Sequence, residues 1–190
     1  AASLATQYLQ AALQVFDMLD KRLQAAEQQL APLVAELDAV DDRTDAMLGR
    51  LADDIWNDIG RPAADPIYSL LFPEGVGFYT DGPDAEQPAR MELLAELLLA
   101  NLHPKLDAKQ AKDRAKQVRD AAVALRAAVD KTVGPRTQVT TLGRARTAVA
   151  RSLQMSLVNL KRHYRAQGLS ERDIHAMIPD RGKPKTKTPA

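Results

Sequence analysis

Four arginines near the C-terminal end are the residues best placed to do chemistry. Arg144, Arg151, Arg162 and Arg165 are separated by seven, eleven and three residues. Those offsets are about two, three and one turns of an α-helix, so on a helix the four form one stripe. Arg146, Lys161 and His163 widen it, and the tail adds Arg181, Lys183, Lys185 and Lys187. A line of guanidinium and ammonium groups suits a polyanion, held with an affinity that falls steeply with salt. The candidate polyanion-binding set is therefore Arg144, Arg151, Arg162, Arg165, Lys183, Lys185 and Lys187. Against nucleic acid stand two facts. Tyr164 is the one aromatic in the stripe, too few for base stacking, and no helix-turn-helix pairing is recognisable. An acidic helix lying opposite the arginines would account for them equally well. A membrane surface ranks below nucleic acid, because the basic stretch lacks the Trp and Phe of an interfacial helix.

The second candidate is a loop. Residues 60–86 are the one long irregular region expected, and Tyr68, Phe72, Phe78 and Tyr79 lie within it, close to Trp56. Long ordered loops often carry recognition, which makes these four aromatics a candidate interaction loop. The structural alternative is a plug that closes one end of a helical bundle.

Other chemistries find little support. His103, His163 and His175 stand on different elements, without the Glu-x-x-His pairs of di-iron bundles or an HExxH pattern. There is no cysteine, hence no disulfide and no thiolate zinc site. Gly75-Val76-Gly77 lacks the Gly, Lys and Ser/Thr spacing of a phosphate loop, and no serine sits in G-x-S-x-G. Asp41-Asp42 and Asp53-Asp54 are adjacent pairs, which point about 100° apart on a helix and do not converge. No catalytic residue, metal ligand or cofactor site is expected.

The elements that must position these residues are helices. From Tyr8 to Ile55 one apolar track runs Tyr8, Ala12, Val15, Leu19, Leu23, Ala26, Leu30, Leu33, Leu37, Val40, Thr44, Met47, Leu51, Ile55. Its thirteen steps cover 47 residues, about 3.6 each, the period of a straight helix rather than the 3.5 of a supercoiled heptad. Leu9, Leu13, Phe16 and Leu48 broaden it, as a helix packed against two neighbours requires. The spacing predicts a first helix over 3–58, capped by Ser3, kinked but unbroken at Pro32 and ended by Gly60 and Pro62. Asp65-Pro66 starts a short apolar helix that Pro73 stops. A further helical stretch, kinked or divided at Pro104, spans about 88–132. Gly134-Pro135 reads as a boundary, and a last long helix spans 137–167 with Gly168 as its cap. Ser170 and Asp173 open one more short helix.

The predicted fold is all-α: an elongated antiparallel bundle of three to four long helices with short end-capping helices. Residues 1–178 form one domain, and 179–190 a disordered basic tail. Net charge is +1, yet residues 1–100 sum to −12, 101–130 to +3 and 131–190 to +10. An acidic and a basic element packed together, or a basic surface with an acidic partner, are the readings of that asymmetry. No apolar run reaches the roughly 18 residues of a spanning helix and no signal peptide is visible, so a cytoplasmic protein is expected. The chain opens on Ala1 rather than Met, as a processed or trimmed product would. The function expected is non-catalytic, through protein–protein interaction, scaffolding or self-association. The alternatives are a nucleic-acid-binding accessory protein using the basic helix and tail, and an enzyme with a site around the 60–86 loop.

Overall fold

The computed structural model describes residues 2–178, with side chains from Leu9 onward. It is all-helical: α1 (Ala2–Asp58), α2 (Pro66–Leu71), α3 (Gly77–Thr80), α4 (Gln87–Ala100), α5 (Ala108–Ala166) and α6 (Glu171–Met177). Among the described residues two helices exceed 40 residues, α1 with 57 and α5 with 59.

The boundary expected at Gly134-Pro135, on which the count of three to four long helices rested, is corrected by α5, which runs straight through the pair. Proline removes one amide donor but holds φ near the helical value. The clash that pushes the preceding residue out of helical geometry involves that residue's Cβ, which Gly134 lacks. Tertiary burial supplies the rest, since Leu125, Ala128 and Thr132 are buried ahead of the pair. Pro32 likewise leaves α1 continuous, as predicted. Pro104 does divide: α4 ends at Ala100, capped by Asn101 in the left-handed region (φ 46°), and α5 begins at Ala108. Ser3 lies within α1, and the capping role expected of its side chain falls outside the described side chains.

The ends of the helices follow cap chemistry read from the sequence. At the close of α1 the Gly60 amide donates to the Asn57 carbonyl, 3.0 Å, and the Arg61 amide to the Trp56 carbonyl, 2.9 Å. Gly60 has φ 92°, which glycine adopts without a Cβ penalty. The same pair of bonds ends α5, with Gly168 donating to Arg165 and Leu169 to Tyr164. Asp65 caps α2 by accepting from the Tyr68 amide, 2.7 Å, and Ser170 caps α6 by accepting from the Asp173 amide, 3.2 Å.

Contacts divide the chain into two compact units, residues 26–138 and residues 1–25 with 139–190. The first holds the main core. Leu37, Leu48 and Ile55 of α1, Met91, Leu94 and Leu98 of α4, and Val118, Ala122 and Leu125 of α5 are all essentially sealed. Within this unit α1 and α5 run antiparallel, since Asp58 pairs with Arg114 and Glu36 with Lys131. The second unit contains the start of α1, the C-terminal part of α5, and α6. Among the described residues its buried apolar side chains are Leu19, Leu142 and Ile174.

Candidate interaction surface

The arginine stripe divides by partner. Arg146 turns toward α1: its Nε lies 2.6 Å from the Asp20 carboxylate, and its guanidinium carbon 4.9 Å from the Phe16 ring centroid. Arg165 pairs with Glu171 of α6. Arg144, Arg151 and Arg162 are exposed and make no ion pair among the described residues. Acidic–basic pairing of the two long helices is thus real for Arg114, Lys131 and Arg146, while these three arginines stand outside it. Lys183, Lys185 and Lys187 lie outside the described residues, as does the expected tail.

The helix explains the division. Each residue turns the direction of its side chain by about 100°. Leu142 and Leu160, inward on α5, therefore lie about 140–180° round from Arg144, Arg151, Met155 and Arg162. On that outward face Arg144, Ala148, Arg151, Met155, Val158, Arg162 and Arg165 succeed one another in steps of four and three, and all seven are exposed. Six steps across 21 residues average 3.5, the heptad spacing. Met155 is 67% exposed and Val158 43%, so the middle of the face is apolar and its two ends are basic. From residue 139 to residue 166 α5 carries six Lys and Arg and no Asp or Glu.

Sequence reasoning found the arginines and gave no role to Met155 and Val158 between them. The signal was present: the offsets of seven, eleven and three leave gaps that 148, 155 and 158 fill at heptad spacing.

The aromatic loop has a different character. Trp56, Tyr68, Phe72, Tyr79 and Phe78 form a chain of ring contacts with centroids 4.8, 5.2, 5.8 and 5.0 Å apart in that order. Phe72 and Tyr79 are buried, while Tyr68 and Phe78 are half-buried and pack on the core. The Tyr79 hydroxyl donates to the Leu71 carbonyl at 2.6 Å, and burial pushes it up to about 12. Arg90 of α4 donates to the carbonyls of Phe78 and Asp81, both at 2.7 Å, and Gln87 to that of Thr80, 2.6 Å. Asp65 contacts His103 at 3.2 Å, and Lys105 donates to the Ile59 carbonyl at 2.9 Å. The Tyr68 amide holds the Asp65 carboxyl below its ordinary value, with His103 adding to the effect. The loop is bound at many points to α4 and to the α4–α5 connection.

A group of carboxylates lies on the same unit. Asp45 is pushed up to about 6 by burial and then by Asp41, Asp42 and Asp81, and Asp41 is raised by burial and by Asp84. Among the described residues no three or more His, Asp or Glu side chains are grouped so as to hold a metal ion. No described helix is long and apolar enough to cross a membrane.

A scan against protein-family models finds no match, and searches of curated proteins and of solved structures find none.

Proposed function

We propose that this protein is a non-catalytic helical bundle that works by docking another protein chain on the outer face of α5. The observation that carries the reading is the exposed apolar pair Met155 and Val158, set on one face of α5 between the exposed arginines Arg144, Arg151, Arg162 and Arg165. A 3.5 spacing is what a second helix needs to follow a face over several turns, with the seam drifting only about 20° per heptad. The apolar pair at the centre flanked by arginines matches the build of protein interfaces, whose centres are desolvated and whose rims are charged.

The test is capture of partners on immobilised full-length chain after nuclease treatment, compared with a Met155→Ser/Val158→Ser variant. A protein, whether this chain or another, is retained in stoichiometric amount by the first and lost by the second. Equal capture by both, or turnover of a substrate by the purified chain, defeats the reading.

One observation favours a second reading. Arg144, Arg151 and Arg162 have no carboxylate partner among the described residues, as a polyanion site requires. Nucleic-acid binding by these residues predicts a gel shift that weakens sharply with salt and vanishes when they are changed to Glu. Met155 and Val158 between the arginines suit a phosphate backbone poorly, which places this reading second.

A further inference from the structure

We infer that the chain docked on the outer face of α5 is a second copy of this protein, presenting the outer face of its α1. The inference rests on the protein-docking reading above and supplies its partner.

The α5 face does not suit its own likeness. Laid antiparallel on itself, it sets Arg144 against Arg165 and Arg151 close to Arg162 across the seam, and like charges in register repel. Its counterpart must be acidic and narrow enough to receive Met155 and Val158. The outward side of α1 has both properties. Pro32, Ala35, Ala39, Asp42, Ala46, Gly49 and Asp53 follow one another in steps of three and four, over the same 21 residues and at the same 3.5 spacing. They lie on the side of α1 away from Leu37, Leu48 and Ile55, and all but the half-buried Gly49 are exposed. A Cβ added at Gly49 would meet nothing within 4 Å. Asp38, Asp42 and Asp53 supply carboxylates along this side. Glu36 and Asp58, by contrast, are already taken by Lys131 and Arg114 of the same chain.

Set antiparallel, as the helix dipoles favour, the two faces complement one another. In the register that sets Arg144 opposite Asp53, Val158 meets Ala39, Met155 falls opposite Asp42 in the gap between Ala39 and Ala46, and Arg151 and Arg162 lie about one turn from Asp42 and Asp38. Each copy then offers one basic face and one acidic face. Such a contact joins unlike surfaces, so growth past the dimer is expected unless the geometry closes a ring.

The experiment uses the full chain in sedimentation velocity with two charge-reversal variants, Arg144→Glu/Arg162→Glu and Asp38→Lys/Asp53→Lys. All four positions are exposed, and circular dichroism confirms that each variant keeps its helix content. Wild-type protein is expected to sediment faster as its concentration rises from about 1 to about 200 μM. That rise should shrink in about 1 M salt, where the screening length is about 3 Å. Each variant alone should remain a monomer, and an equimolar mixture of the two should associate again, because each restores the charge its partner lacks. A wild-type monomer throughout, variants that still associate, or a mixture that stays monomeric would overturn the inference. If the wild type is monomeric while Met155 and Val158 still govern capture of some other protein, self-association falls and the docking reading stands. If the arginines instead govern salt-dependent binding to a DNA duplex of about 20 base pairs, both fall together.

Discussion

Arg146 lies over the ring of Phe16, its guanidinium carbon 4.9 Å from the ring centroid, while its Nε reaches the Asp20 carboxylate at 2.6 Å. One side chain of α5 thereby meets both an aromatic and an acid of α1, one helical turn apart. Two residues earlier, Arg144 makes no ion pair among the described residues. The contrast gives a first prediction. Arg146→Ala should lower stability by about 1 kcal/mol, the combined scale of a partly exposed ion pair and a cation–π contact. Arg144→Ala should leave it within about 0.5 kcal/mol. Urea unfolding followed by circular dichroism measures both, and equal losses would show that the Phe16 contact stabilises nothing.

The Tyr79 hydroxyl is buried and donates to the Leu71 carbonyl. Tyr79→Phe leaves that carbonyl without this donor and should lower stability by about 1 kcal/mol near neutral pH. Burial pushes the phenol from 10.0 up to about 12. An acid raised on folding keeps its proton longer in the native state, so its share of stability is full below pH 10. That share is lost as pH climbs from 10 through 12. The alkaline loss of stability should therefore be shallower in Tyr79→Phe, as melting temperatures between pH 9 and 11 will reveal.

Asp45 carries the same sign at lower pH. Its carboxyl rises from 3.8 to about 6, first through burial and then through Asp41, Asp42 and Asp81. The native state holds this proton more tightly, so the contribution is full below pH 4 and is lost as pH rises through 6. Asp45→Asn removes the penalty of the charged form. It should stabilise the protein at pH 7.5 by about 1 kcal/mol, once the shift is discounted for water's access to the group. At pH 4 the gain should be close to zero. A gain that is the same at both pH values would place its origin outside the ionisation of Asp45.

Pro135 sits inside α5 with its amide donor missing. Proline in a helix interior is about 3 kcal/mol worse than alanine, and α5 accommodates it beside a glycine. Pro135→Ala should raise stability by about 1–3 kcal/mol. Thermal unfolding decides it. A fall in melting temperature would mean that the proline sets a bend which the surrounding packing needs.

Local chemistry was the legible part of the fold. Asp65, Ser170, Gly60 and Gly168 act at helix ends through bonds to residues at most five positions away, so a short stretch of sequence contains the whole cause. Gly134-Pro135 shows the opposite case. Its local signal says boundary, yet α5 is buried at Leu125, Ala128 and Thr132 before it and at Leu142 beyond it, and it continues. The arginines of the candidate surface were legible because their offsets fit helical turns. Met155 and Val158 were not, because periodicity says that a residue lies on a face without saying whether another helix covers it. Coverage depends on how many long helices there are, and that count had turned on Pro135.

The ties at the aromatic end also bear on the order in which residues 26–138 fold. Asp65 and His103 are 38 positions apart, Ile59 and Lys105 46, Asp58 and Arg114 56, and Glu36 and Lys131 95. Closing the longest of these from an open chain costs about 0.8 kcal/mol more than closing the shortest, on the logarithmic dependence of loop entropy on length. Once the aromatic corner has formed, however, each later contact between α1 and α5 closes only a small additional loop. This region therefore has a preferred starting point and direction of assembly, like a zip fastened from the corner where Trp56, Tyr68 and Phe72 meet. In pulsed hydrogen exchange, amides near Ile55 and Val118 should gain protection before those near Leu37 and Ala128.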